Sequence, residues 1–350
     1  MTFHSPLRVV QWTTGNIARQ AVRAVMDRSD LELVGCFAFS ADKVGRDVGD
    51  LCGLGYDTGI VATDDVGALL ATEPDCVLYT PLHPNIDELV GLLEAGVNVV
   101  TTSEILSGRT MGRANRNRIE TAAQAGGATL FGTGMNPGWS QLLAAVAAGN
   151  SLGVGHVRVR EAADVSLFVG DANFDEFGWG RPAGDPGHPA DLERASRTFA
   201  EGADVLAALL GIDDPVLRFT PGFAHATVDL DLPGRPIAAG TVAGIDLRWE
   251  IMVEERAVAE LHSRFVATRE LIEGWSVEHG YRIEVDGDPQ ISITVGIMPT
   301  DLHNLTVDSM RDLGLRISAL PAVNAIPGVC AAAPGLKTYA DIPPPTARIS

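Results

Sequence analysis

Lysine is nearly missing from this sequence. Among 350 residues only Lys43 and Lys337 occur, and the other 24 of the 26 basic residues are arginine. Covalent catalysis through a lysine imine would have to use one of these two. Lys43 falls in a polar loop and Lys337 near the C-terminus, so the pattern points away from it. Basic residues are scarce overall: 26 stand against 45 acids, a net charge of −19. Nucleic acid is excluded as a partner, because a phosphate backbone needs clustered Lys and Arg. An anionic membrane surface is disfavoured for the same reason. A phosphate-bearing cofactor is still permitted, since a local pocket need not share the global sign.

Cysteine is also rare. Cys36, Cys52, Cys76 and Cys330 form no CxxC pair and have no His at metal-ligand spacing, so no metal site is expected. Cys36 and Cys76 lie in apolar runs and read as core residues. Uninterrupted apolar runs of roughly 18 residues are lacking, so no membrane span is expected. The start MTFHSPLRVV lacks a charged region followed by an apolar one, so no secretory leader is read there. The expectation is a cytoplasmic protein. Hydrophobic residues, by contrast, make up 46 % of the chain, enough for a sizeable core at a length that suits two domains.

The first 130 residues alternate short apolar runs with amphipathic ones. Leu7–Trp12, Leu33–Phe39, Cys76–Tyr79, Val97–Val100 and Ala128–Phe131 are apolar on both faces, as buried parallel strands are. Helical patterns cover Ile17–Arg28, Asp65–Ala71, Ile86–Ala95 and Ala114–Ala125. Such alternation predicts a doubly wound parallel sheet, an α/β fold, in residues 1–138. After Asn136-Pro137-Gly138 the character changes. A helix is predicted over Gln141–Ala148 and longer strands over His156–Glu161, Ala224–Leu230, Ile245–Val253, Arg264–Thr268, Tyr281–Val285 and Gln290–Ile297. Their polar–apolar alternation suits a large, mainly antiparallel sheet in an α+β domain over residues 139–304. A long helix is predicted over Asp191–Leu210 and another over Leu305–Leu315. Residues 305–350 are expected to return across the first domain. Enzymes that hold a dinucleotide in one domain and substrate in the other share this layout.

The first strand leads into Thr13-Thr14-Gly15-Asn16-Ile17-Ala18. Against the fingerprint G-x-G-x-x-G/A the first glycine is replaced by Thr13, while Gly15 and Ala18 fit. Gly15 lets backbone approach a pyrophosphate, and the helix N-terminus offers free N–H groups. The second strand ends at Ser40 without the acid that commonly binds an NAD ribose. Ser40 with Lys43 or Arg46 suits a 2′-phosphate instead, which favours NADP. Asp42 is the competing residue, and NAD stays open. Thr80, Pro81, Thr101 and Thr102, at two later strand ends, are candidates to line the nicotinamide ribose and carboxamide. Asn136 is a candidate for its amide.

Glu104 follows Val99-Val100-Thr101-Thr102-Ser103 at a ligand-facing strand end. A carboxyl beside apolar Ile105 and Leu106 can exchange protons with ammonia or an amino-alcohol intermediate. The plainer reading is a first-turn helix acid that complements the macrodipole. His83, His225 and His303 are the other acid–base candidates. His83 can equally just shape a turn, and His225 can be a packed strand residue. His303, close to Thr300 past a strand end, can reach substrate. Trp139, Phe168, Phe174, Phe177 and Trp179 can wall an apolar pocket.

At three segments the chain resembles a known family. Val9-Val10-Gln11-Trp12-Thr13-Thr14-Gly15-Asn16, Val34–Asp47 and Asn98-Val99-Val100-Thr101-Thr102-Ser103-Glu104 look like the native amine dehydrogenases. That group is related to 2,4-diaminopentanoate dehydrogenase and carries the label dihydrodipicolinate-reductase-like. The tail Leu315–Pro327, with Asn324, fits the same group. The resemblance implies a Rossmann-type nucleotide domain and NADP(H)-dependent reductive amination of small ketones or aldehydes by ammonia, reversible as oxidative deamination. It puts the catalytic glutamate on Glu104, the nucleotide turn on Thr13 to Ile17 and the phosphate-selecting loop on Ser40 and Lys43. It adds Asn324 to the cofactor site and implies a homodimer. True dihydrodipicolinate reductase carries a His-rich stretch and a catalytic lysine in its second domain. The segment His156–Gly170 has one His and no Lys, a departure from that enzyme. The alternative activity on this scaffold is a carbonyl or imine reductase that uses no free ammonia.

Overall fold

The computed structural model describes residues 5–347. In chain order its first elements are β1 (Leu7–Trp12), α1 (Asn16–Met26), β2 (Leu31–Phe37), α2 (Val48–Cys52), β3 (Ala62–Thr63), α3 (Val66–Leu70), β4 (Cys76–Tyr79), α4 (Ile86–Glu94), β5 (Asn98–Thr101), α5 (Gly112–Gly126) and β6 (Thr129–Gly132). A tight turn over Met135–Trp139 leads to α6 (Ser140–Ala148) and β7 (Leu152–Asp164). Then follow α7 (Ala172–Asp175), α8 (His188–Ala195), α9 (Arg197–Leu209), β8 (Val216–His225), β9 (Leu230–Leu232), β10 (Arg235–Ile237), β11 (Val242–Val253), β12 (Arg256–Val266), β13 (Gly280–Asp288), β14 (Ile291–Val295), α10 (Val307–Cys330) and β15 (Gly335–Lys337). The chain divides into two compact units. One holds the described residues up to Trp139 and from Asp312 onward; the other is Ser140–Arg311.

The first unit is a Rossmann-type doubly wound sheet of seven strands in the order β15-β6-β5-β4-β1-β2-β3, with every pair parallel. Its strands are buried on both faces, as their continuous apolar character requires. α1 packs through Ala18, Ala21, Val22 and Val25, the i, i+3, i+4, i+7 face of an amphipathic helix. α4 starts at Asn85, whose side chain accepts the N–H groups of Asp87 and Glu88, and buries Leu89, Leu92 and Leu93. β1 neighbours β2 on one side and β4 on the other, so the winding direction reverses there. Ligands of open α/β sheets bind beyond the carboxyl ends of strands at such a reversal.

The second unit is built on a six-stranded sheet, β14-β13-β7-β12-β11-β8, antiparallel except for the β7–β12 pair. Val157, Val159, Ile245, Leu247, Ile251, Leu261, Ile283 and Val285 share one face, and α6, α8 and α9 bring Ala144, Leu192, Ala203 and Leu206 into the same core. The alternate positions carry charge, including the ion-paired Asp246, His262 and Arg264.

Three expectations from sequence are revised. The helix over Asp191–Leu210 is two helices, α8 and α9, parted at Ser196, whose φ of −97° and ψ of 12° break the run. The strand expected over Ala224–Leu230 lies earlier, as β8. Pro221 masks it in the sequence, but β8 is an edge strand, where a missing ladder N–H costs little. The helix expected over Leu305–Leu315 runs on as α10 to Cys330, through Pro321 and Pro327. Ala319, Ala322, Val323, Ala325, Ile326 and Val329 are buried along it, and that burial outweighs the lost helical hydrogen bonds. By length and composition alone α10 could cross a membrane. It is the one such helix among the described residues, and its second half reads as a core helix.

Candidate active site

The β1–α1 turn keeps the geometry of a nucleotide-binding turn despite the missing glycine. Thr13 stands at the first fingerprint position with φ = +82°, the left-handed region that glycine usually fills. Its backbone N–H is bound to the Phe37 carbonyl at 3.0 Å, and its hydroxyl lies 3.0 Å from that of Thr80. The Thr80 hydroxyl donates to the Trp12 carbonyl at 3.0 Å and accepts from Gln11 Nε2 at 2.9 Å. Gln11 is fully buried within an otherwise apolar stretch of β1, and sequence reasoning assigned it no part. Its polarity inside such a run was the available signal.

Gly15 caps α1 with no side-chain hydrogen bond, and no acid lies in the first helical turn. A Cβ built on Gly15 would meet nothing within 4 Å. Open space, uncapped helix N–H groups and no competing carboxylate are what a pyrophosphate requires, so the residues present fit a dinucleotide. Asn16 and Gly15 are exposed, Ile17 is half-buried and Thr14 is buried. Beyond β2, Ser40 is exposed and its carbonyl accepts the N–H groups of Lys43 and Val44. Arg46 is occupied by Asp50, with contacts of 3.1 and 2.5 Å. Lys43 is half-buried, and its charge acts on Cys36 at the base of the turn, opposing the burial that pushes that thiol up to about 12.

Glu104 lies beyond the end of β5 in an irregular segment, and the next helix, α5, starts only at Gly112. The reading of Glu104 as a first-turn helix acid therefore fails. Its side chain is 14 % exposed and is followed by the buried Ile105 and Leu106. The segment is fixed from three sides. The Ser103 N–H donates to Thr101 Oγ1 at 2.9 Å, the Ser103 hydroxyl to the Pro81 carbonyl at 2.5 Å, and the Ile105 N–H to the Ser103 carbonyl at 2.7 Å. Gly132 of β6 allows the close approach on which this rests: a Cβ there would come within 1.5 Å of the Ile105 carbonyl oxygen.

The Ser103–Pro81 bond joins the segment to the loop after β4. That loop presents His83, whose Nδ1 is 3.4 Å from Glu104 Oε1. Its far end is held by Tyr79, whose hydroxyl accepts the Asn85 N–H at 3.0 Å and donates to Glu88 at 2.8 Å. Burial raises the Tyr79 pKa, which keeps the phenol a neutral donor.

Thr80 and Pro81 are half-buried beside the turn, and Thr102 is half-buried next to Glu104. Thr101 is fully buried and shapes the turn below it. Asn136 and Trp139 are half-buried in the Met135–Trp139 turn, whose Asn136–Pro137 peptide is cis. Asn324 is set apart from this group. Its amide oxygen accepts from Arg28 Nη1 at 3.0 Å, just past the C-terminal end of α1, whereas the nucleotide turn is at the N-terminal end. In the second unit, Phe168 and Phe174 belong to an aromatic cluster with Phe177 and Phe265, packed against the core. Thr300 and His303 are exposed, and the His303 N–H donates to Asp301. Among the described residues no group of three or more His, Cys, Asp or Glu could hold a metal ion.

A parallel sheet with this turn at its reversal point is a Rossmann-type nucleotide fold, and similarity to known enzymes makes the chain an oxidoreductase. Its likeness to particular enzymes is narrower. Over 359 aligned residues it is 28 % identical to an amine dehydrogenase of Streptomyces virginiae, with 96 % of each chain covered. The solved amine dehydrogenase of Mycobacterium smegmatis matches it at a TM-score of 0.81 and 25 % identity, over 99 % of this chain and 98 % of that one. A shorter stretch of 83 residues is 32 % identical to 4-hydroxy-tetrahydrodipicolinate reductase of Synechococcus elongatus, covering 20 % of this chain and 30 % of that protein. No protein-family model matches the chain.

Proposed function

We propose that this chain is an NADP(H)-dependent amine dehydrogenase that reductively aminates small ketones or aldehydes with ammonia and catalyses the reverse deamination. The observation that carries the reading is Glu104, a mostly enclosed carboxylate fixed at the ligand-facing end of β5, in a chain similar over nearly all of its length to two amine dehydrogenases. When bound, the nicotinamide supplies or accepts the hydride. The remaining work falls to the protein. Gly15, Asn16 and Ile17 hold the pyrophosphate with backbone N–H groups, and Thr80, Pro81 and Thr102 orient the ribose side. Glu104 takes a proton from ammonium, which frees ammonia to attack the carbonyl carbon. It then returns the proton to the departing hydroxyl, so that water leaves and an imine remains. With Glu104 only 14 % exposed and followed by buried Ile105 and Leu106, the carboxylate is largely screened from bulk water.

The preference for NADP over NAD is supported by the missing acid at the end of β2 and by Ser40 and Lys43 in the following turn. The homodimer belongs to the same reading and is checked by light scattering. The functional test is NADPH oxidation across a panel of small ketones and aldehydes, with and without ammonium. Turnover that requires ammonium supports the reading. Equal turnover without it would assign the chain to carbonyl reduction instead.

A further inference from the structure

We infer that His83 is a positioning residue that relays protons between bulk water and Glu104. This rests on the proposed amination. At neutral pH that reaction consumes a proton: carbonyl, ammonium, NADPH and H⁺ give alkylammonium, water and NADP⁺. The two carbonyl C–O bonds break, a C–N bond and a C–H bond form, and the hydride carries both electrons. The oxygen leaves as water with two new O–H bonds. Every turnover therefore draws one proton from solvent, and every reverse turnover releases one.

Glu104 is poorly placed to collect that proton unaided, since its side chain is only 14 % exposed. His83 is 49 % exposed, and its Nδ1 stands 3.4 Å from Glu104 Oε1. Such a distance is at the long end for a hydrogen bond, as acid–base contacts often are before substrate binds. An imidazole has two nitrogens, so it can accept a proton at Nε2 and deliver the one on Nδ1; the ring is left neutral as its other tautomer, and proton exchange with bulk water at its exposed edge restores the first. The delivered proton forms the O–H bond of the Glu104 carboxyl, which passes it to the amine left by hydride transfer and so forms the third N–H bond of the alkylammonium.

The loop is built to hold this arrangement. His83 precedes Pro84, which fixes its own φ and restricts the backbone of the residue before it. On one side the Pro81 carbonyl accepts the Ser103 hydroxyl from the same segment that carries Glu104. On the other the Asn85 N–H is bound to Tyr79. Two strand-end loops are thus tied together by one hydrogen bond immediately beside the pair. The sequence-level reading of His83 as a residue that only shapes a turn does not account for a ring directed at the one carboxylate the reaction needs.

The test compares His83→Gln, His83→Ala and Glu104→Gln in ammonium-dependent NADPH oxidation with one small ketone. Glutamine keeps a donor for Glu104 but cannot carry a proton. Both His83 variants are expected to lose about 10- to 100-fold in kcat, towards the low end of acid–base effects, with the ketone KM within about twofold. Free imidazole should restore His83→Ala in a saturable manner and leave Glu104→Gln unchanged. Wild-type kcat in His83→Gln would overturn the relay. So would a loss in His83→Ala that imidazole does not repair. Full activity in Glu104→Gln would instead overturn the underlying reading of Glu104, which separates the two failures.

Discussion

Thr13 and Thr80 share a hydroxyl–hydroxyl hydrogen bond of 3.0 Å across the reversal point of the parallel sheet, between the end of β1 and the end of β4. The bond explains how the turn manages without its first glycine. Thr13 is held at a positive φ that costs a β-branched residue roughly 1–2 kcal/mol, and its side chain recovers part of that through Thr80. Thr80→Val keeps the shape and removes a hydroxyl that engages Thr13, Gln11 and Trp12. The expected loss is about 1–3 kcal/mol, the usual penalty for leaving buried polar partners unmatched. Urea unfolding measures it. The double variant Thr13→Gly/Thr80→Val should lose less than the sum of the singles, because glycine both relieves the strain and removes the partner.

Two glycines should respond in opposite ways. Gly15 meets nothing where a Cβ would go and has an ordinary φ of −74°, so Gly15→Ala should leave the melting temperature nearly unchanged. The added methyl would occupy the space assigned to the pyrophosphate, so the Kd for NADPH should rise at least tenfold, about 1.4 kcal/mol. At Gly132 the same substitution would drive a carbon into the Ile105 carbonyl oxygen. Gly132→Ala should cost about 1–3 kcal/mol or more in stability and should reduce kcat by moving Glu104. Thermal unfolding and NADPH fluorescence titration distinguish the two outcomes.

Cofactor choice is tested at Lys43. For the wild type, kcat/KM for NADPH should exceed that for NADH. Lys43→Glu should narrow or invert the ratio, because it puts a charge that repels a 2′-phosphate in the β2 turn, where the other cation, Arg46, is already bonded to Asp50. An unchanged ratio would remove Lys43 from phosphate selection.

The second unit carries a pH dependence of its own. His188 is buried, its Nε2 is 2.7 Å from the Phe177 carbonyl, and its ring stacks on Phe223. Burial lowers its pKa below the ordinary 6.5, and burial together with nearby Arg158 does the same for His156. The unfolded chain therefore binds more protons than the folded one as the pH falls below that value. The stability contribution is full above about pH 6.5 and is lost as pH falls from there through the depressed folded pKa. His188→Gln, which cannot titrate, should show a shallower fall in melting temperature from pH 7.5 to 5.5 than wild type. Parallel curves would show that His188 is not the source.

Much of the first unit was legible because its strands are apolar on both faces and its helices carry a clear 3.6-residue stripe, as in β1, β4 and α1. β3 and β15, of two and three residues, are too short to show any period. α10 extends beyond the Leu315 expected from sequence through Pro321 and Pro327, and the burial that holds it together there is a tertiary effect. Glu104 could be singled out from its place at a strand end, but its contact with His83 could not. The two residues lie 21 positions apart on loops after different strands, and only the strand order β5-β4 brings those loops side by side. Ser103 was missed for the same reason, since it acts through a partner on another strand end; the polarity of Gln11 inside β1 was visible, but its bond to Thr80 at the end of β4 was not.

The most direct test of the account is Glu104→Gln, assayed for ammonium-dependent NADPH oxidation alongside NADPH binding. The substitution keeps the size of the side chain and removes its capacity to take up and return a proton. A fall in kcat of at least about 100-fold is expected, with the NADPH Kd within about twofold of wild type. A variant that binds NADPH normally and aminates at the wild-type rate would contradict it.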